Sequence, residues 1–173
     1  MAAGNTYTPI QTTTLANSTT SSVTLGSIPN TYTDIRVVIS NYKSVQANQT
    51  LQIKYNSITT GYSFIYANGT GSGVSCGQVS NNPTINVGAT AGTSTTIPVT
   101  VTMDILSYAN TSFYKNSLIN YACERNGSGE IDKIFAMSAN TAAISSITFT
   151  MNSDPTSYFS SGTTFTIYGI AAA

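Results

Sequence analysis

A two-residue alternation, repeated along the chain, is the feature that most limits what this sequence can become. In TYTDIRVVISNY, Ile35, Val37 and Ile39 alternate with Arg36, Val38 and Ser40. In TLQIKYNS, Leu51, Ile53 and Tyr55 alternate with Gln52 and Lys54. TTIPVTVTMDIL sets Ile97, Val99, Val101, Met103 and Ile105 on one side, against Thr96, Pro98, Thr100, Thr102 and Asp104. ISSITFTMN opposes Ile147, Phe149 and Met151 to Ser146, Thr148 and Thr150. Successive side chains of an extended strand point to opposite faces, so this period marks half-buried strands. The residues that fill it (Thr, Val, Ile, Tyr, Phe) are those that pack best on a pleated surface. No segment sustains helical spacing, and Ala, Leu, Glu and Lys are too sparse for long helices.

Eleven segments carry strand character: 6–15, 22–26, 33–42, 50–56, 62–68, 74–79, 95–106, 112–124, 130–138, 144–151 and 163–170. About nine or ten strands are expected from them, with at least one segment failing. Asn68-Gly69 and Asn126-Gly127, each followed by more Gly and Ser, mark connections longer than a two-residue hairpin turn. SIPN (27–30), NNPT (81–84) and SDPT (153–156) supply Pro-containing turns. Many short antiparallel strands in one domain predict an all-β, antiparallel two-sheet β-sandwich, jelly-roll-like, because alternation leaves each strand one wet face. The chain's 173 residues suffice for one such domain, here 22–173. Residues 1–21, MAAGNTYTPIQTTTLANSTTS, form a possible extended N-terminal arm that orders against a neighbour.

Polarity comes from small neutral side chains. The chain has 29 Thr, 23 Ser and 16 Asn, whereas charged residues are 7% of the total, six Lys+Arg against six Asp+Glu. The basic residues Arg36, Lys43, Lys54, Lys115, Arg125 and Lys133 are scattered singly. That argues against nucleic acid as a partner, because counterion release needs clustered cations. No apolar run reaches the roughly 18–20 residues that span a bilayer, so no membrane partner is expected. The N-terminus has neither a basic region nor an apolar run, and Ala2 is not the Gly that myristoylation needs. Synthesis in a cytoplasm, with exit if any by a route such as lysis, is the corresponding expectation.

Chemistry finds little to work with. Histidine is absent, which removes the commonest general acid/base and any mixed Cys/His metal site. Cys76 and Cys123, 47 residues apart, match no zinc pattern and read as buried free thiols. No GxSxG occurs, and GSGVS (71–75) lacks the Lys-Ser/Thr of a phosphate cradle. A glycosidase needs two facing carboxylates. The candidates are Asp34, Asp104, Glu124, Glu130, Asp132 and Asp154, with Asp104 the most interesting because it lies in a strand. Glu124, Arg125, Glu130, Asp132 and Lys133 flank Asn126-Gly127 and read as a solvated hairpin tip. No catalytic, cofactor-binding or metal-binding residue is therefore assigned. Tyr62, Tyr66, Tyr108, Tyr114, Tyr121, Tyr158 and Tyr168 could in part line a sugar-binding face; the plainer reading is sheet margins and subunit contacts.

What remains is a surface suited to assembly. Lys and Glu normally keep sheet edges apart, and both are scarce here. Packing into a symmetric particle would cover such edges, without reliance on ion pairs. TYTPIQTTTL (6–15), SSVTLGSIPNTYTDIRVVI (21–39) and LQIKYN (51–56), with GTTFTIYGI (162–170) at the end, resemble a group of small proteins from tailed bacteriophages, especially those of marine and cyanobacterial hosts. The resemblance covers both ends well and the middle poorly. It implies a non-enzymatic virion structural protein, most simply a capsid decoration (cement) protein on the outer shell. It further implies self-association, as trimers at local threefold positions, and the major capsid protein as partner. A tail or fibre domain recognising host glycans is the alternative.

Overall fold

The computed structural model describes residues 6–88, 92–124, 127, 129–151 and 156–171. Among them are twelve strands and no helix. They are β1 (Tyr7–Thr14), β2 (Ser22–Leu25), β3 (Asp34–Tyr42), β4 (Leu51–Tyr55), β5 (Tyr62–Gly69), β6 (Val74–Asn82), β7 (Ile85–Val87), β8 (Val99–Leu106), β9 (Lys115–Cys123), β10 (Glu130–Ser138), β11 (Ile147–Met151) and β12 (Thr164–Ile170). All pairings are antiparallel. Eight strands form one sheet, in the order β1-β12-β3-β8-β9-β10-β5-β6, and four form the other, β2-β11-β4-β7. The expected all-β sandwich is what the chain forms.

Its winding is a jelly roll with additions. From β2 to β8 the chain crosses between sheets at every step except the β5–β6 hairpin, and β11 returns between β2 and β4. With the β9–β10 hairpin set aside, β3-β8-β5-β6 faces β2-β11-β4-β7, the arrangement of an eight-stranded jelly roll. The hairpin is inserted between β8 and β5, and β12 and β1 extend the far edge of the larger sheet. Within the segment expected as an arm, residues 7–14 are therefore a strand paired with β12 of the same chain, bulged between Pro9 and Gln11.

Two expectations are corrected. All eleven segments hold a strand, and a twelfth, β7, arises from Ile85–Val87, too short to show alternation. The Asn68-Gly69 turn is displaced: β5 runs through Gly69, and the reversal falls at residues 70–73, closed by Thr70 N–H donating to Gly73 O at 3.0 Å. Asn126, of the second Asn-Gly pair, and residues 152–155, with most of SDPT, lie outside the described residues.

The core forms where the inner faces meet. Ile35, Val37 and Ile39 of β3 and Val101, Met103 and Ile105 of β8 lie under Leu51, Ile53, Phe149 and Met151 of the smaller sheet. Phe165 packs between Phe149 and Phe159, with ring centroids 5.3 and 5.2 Å away. On the outer faces threonines pair across strands, as in Thr14–Thr164 and Thr24–Thr148, both 2.9 Å between hydroxyls. Such pairs turn a Thr-rich surface into a source of sheet stability. Buried tyrosines replace larger aliphatics, each with a use for its hydroxyl. Tyr55 reaches from β4 across the sandwich to Ser117 Oγ at 2.6 Å. Tyr55→Phe is expected to cost about 1–2 kcal/mol in urea unfolding, because Ser117 is left without that bond in a buried site.

Candidate interaction face

Three neighbouring strands of the larger sheet run against the usual distribution of polarity. Along β9 the inward positions are Lys115, Ser117, Ile119, Tyr121 and Cys123, while Leu118 and Ala122 face out. Along β10, Glu130, Asp132 and Ser138 are buried with Ile134 and Ala136, while Ile131 and Phe135 are exposed. On β5, Asn68 is buried and Ile65 exposed. The ladder registers place Phe135 opposite both Ile65 and Leu118, so the three stand side by side on the outer surface. Ile65, Leu118, Ile131 and Phe135 are 42–59% exposed. An open groove of about 730 Å³ runs over this row, between β6 and β8.

The polar groups beside the row are already paired. Arg36 donates to both carboxylate oxygens of Asp104, at 2.6 and 2.7 Å, and its guanidinium lies over the Tyr7 ring at 5.5 Å. Lys133 Nζ donates to Asn120 Oδ1. A ligand on this face therefore meets hydrocarbon flanked by polar pairs. Several exposed large aliphatics and aromatics in one contiguous patch are the mark of an interaction surface.

The inner side of the same strands corrects the solvated-tip reading. Glu124 and Lys133 are exposed, but Glu130 and Asp132 are only 2% and 4% exposed; Arg125 lies outside the described residues. Asn68 bridges the two carboxylates, its Nδ2 donating to Glu130 Oε2 at 2.9 Å and Asp132 Oδ1 at 2.5 Å. Their other oxygens accept from Gly92 N at 3.1 Å and Gly88 N at 3.0 Å, so both anions are clamped by backbone. Lys115, also buried, donates to the carbonyls of Asn110, Phe113 and Thr141, and burial pushes its pKa down.

Other singled-out residues are dispersed. Asp34 caps Ser107 N at 2.7 Å, Glu124 accepts from Gly127 N at 2.5 Å, and Asp154 lies outside the described residues. Of the tyrosines considered for a sugar face, Tyr62, Tyr108 and Tyr121 are in the core, Tyr66, Tyr158 and Tyr168 are half-buried, and Tyr114 is exposed. Both cysteines are free: Cys123 is buried as expected, whereas Cys76 is exposed on β6, a correction that follows from β6 being an edge strand. Among the described residues, no three Cys, Asp or Glu side chains gather where they could hold a metal, and no helix is long and apolar enough to cross a membrane. Sequence reasoning missed the outward apolar row on β5, β10 and β9, for which β10 holds the one local signal. EIDKIFAMS places Ile131, Phe135 and Met137 on one parity and two acids on the other. The comparisons add no family: no family model, no curated protein and no solved structure matches this chain.

Proposed function

We propose that the protein is a non-enzymatic structural component of a phage virion, a decoration protein that binds the outer capsid surface through the exposed face of β5, β10 and β9. The observation that carries this reading is the row Ile65–Phe135–Leu118, apolar, exposed and set side by side by three hydrogen-bonded strands. Near-zero charge fits the same role: contact with the major capsid protein would come from apolar burial rather than ion pairs. The sequence resemblance at both chain ends supplies the virion setting, and grouping as trimers around local threefold positions follows from that setting.

Copy number per virion, measured by quantitative mass spectrometry, tests the placement. Hundreds of copies are expected; a dozen or so would move the protein to the tail, and absence from the particle would overturn the reading. Rebinding to stripped capsids tests the face. Ile65→Asp with Phe135→Asp is expected to lower occupancy at least about tenfold, as for central anchors of an interface. Wild-type occupancy should hold between about 50 and 500 mM salt, where screening removes most exposed ion-pair attraction. Unchanged occupancy in the double variant would exclude this face.

A further inference from the structure

The four sheet edges are not alike. β2 and β7 are four and three residues long, too short to template a neighbour. β1 carries Pro9 and a bulge, two devices that stop a further strand from pairing. β6 has no proline, and its one bulge falls at its far end, beyond Val79: VSCGQVSNN is nine residues long and uncharged, and Val74, Ser75, Cys76 and Gln78 are all exposed. Its pairing with β5 is regular from Val74 to Val79 and shifts only beyond, next to Asn82. Among the described residues no strand pairs with the row of backbone donors and acceptors along its outer edge.

We infer that β6 pairs with β6 of a second copy of this chain, antiparallel about a two-fold axis perpendicular to the sheet and centred on Cys76. An antiparallel edge is complementary to itself under a two-fold, and with no charge on the strand nothing repels the second copy. The faces fix the parity of the register, and covering Val74 with the exposed Gln78 of the copy sets its centre. Val74, Cys76 and Gln78 share the outer face with Gly69, Ala67 and Ile65. Continuing that face across the joint requires outward residues to meet outward residues. Centred on Cys76, the ladder sets Cys76 opposite its own copy and Val74 opposite Gln78, which covers Val74, 81% exposed in the single chain. The two apolar rows then lie on one side of a single continuous sheet. A ladder this short buries less than the roughly 800 Å² per partner of stable complexes, so the dimer is reversible and strengthens where copies are concentrated. The contact is two-fold, distinct from any threefold grouping, and does not depend on the virion reading.

The purified full-length chain tests it. Sedimentation velocity over a hundredfold concentration range is expected to show a reversible monomer–dimer equilibrium. Gln78→Lys, which places two added charges against the joint, is expected to weaken it at least tenfold, with the β-sheet circular-dichroism spectrum unchanged. Copper–phenanthroline under air should join two Cys76 thiols into a disulfide, two protons leaving and two electrons passing to the oxidant. A species of twice the chain mass should then appear on non-reducing gels, lost in Cys76→Ser and kept in Cys123→Ser. A chain that stays monomeric throughout, a dimer indifferent to Gln78→Lys, or a dimer that yields no Cys76 disulfide would overturn the proposal.

Discussion

Above pH 10 the protein is expected to lose its fold within about two to three pH units, in one cooperative step that releases tyrosine protons together with sheet structure. Burial drives the pKa values of Tyr42, Tyr55 and Tyr121 well above the ordinary tyrosine value of 10.0. Burial raises Tyr62 and Tyr108 in the same direction. An unfolded tyrosine ionises at about 10, so above that pH the unfolded state gives up protons the native state keeps, and stability falls as pH rises. Each such tyrosine contributes a slope of about 1.4 kcal/mol per pH unit, and the three in the deep core together about 4. Against a total of about 5–15 kcal/mol, a few units suffice. Lys115 acts with the opposite sign: its lowered pKa makes the native state gain as pH rises towards about 10.4, and that gain then ends. Stability should therefore hold to about pH 10 and then collapse. Absorbance of ionised tyrosine and far-ultraviolet circular dichroism, followed on one sample, check this. Ordinary titration of all eleven tyrosines near pH 10 with the sheets intact would contradict it. Tyr42→Phe should move the midpoint upward if its packing is kept.

The same tyrosines show where the sequence can be read and where it cannot. Period two located β3, β4, β8 and β11 with the right faces inward, because in each one parity is apolar and the other mainly polar, with Val38 and Leu106 as the exceptions. In β10 both parities hold hydrophobic side chains, Ile134 and Ala136 against Ile131, Phe135 and Met137, so local pattern alone cannot choose the buried side. The choice is made by distant residues. Asn68, from the β5–β6 hairpin, is the donor that lets Glu130 and Asp132 go inward, and Gly88 and Gly92 complete the set after β7. Asn68 itself was misleading, because Asn-Gly signals a turn through local preference and says nothing of a carboxylate 64 residues away. Cys76 is a parallel case: its stretch resembles the strand of Cys123, and only the sheet order reveals that one is an edge and the other central. The candidate face was hidden for the same reason, since an outward Phe is visible only once the inward acids have been placed.

Removing Asn68 should consequently destabilise the fold more than any surface change. Glu130 and Asp132, two residues apart, project from one face of β10, and Asn68 stands opposite Asp132 in the β5–β10 ladder. Its two amide protons serve one oxygen of each carboxylate. Asn68→Ala leaves two buried anions side by side, each with one donor fewer, and the expected cost is about 3–5 kcal/mol at pH 7. That is a large share of the stability of a domain this size. Adding Glu130→Gln should restore part of the loss by removing one of the two charges, and the restoration would show the penalty to be electrostatic rather than a loss of packing. Asn116→Ala, an exposed asparagine on the outer face of β9, serves as control and should stay within about 0.5 kcal/mol. Urea unfolding of the four proteins measures all of this. An Asn68→Ala variant within about 1 kcal/mol of wild type would mean that the acids do not depend on Asn68, and that the inward turn of β10's polar face has another cause.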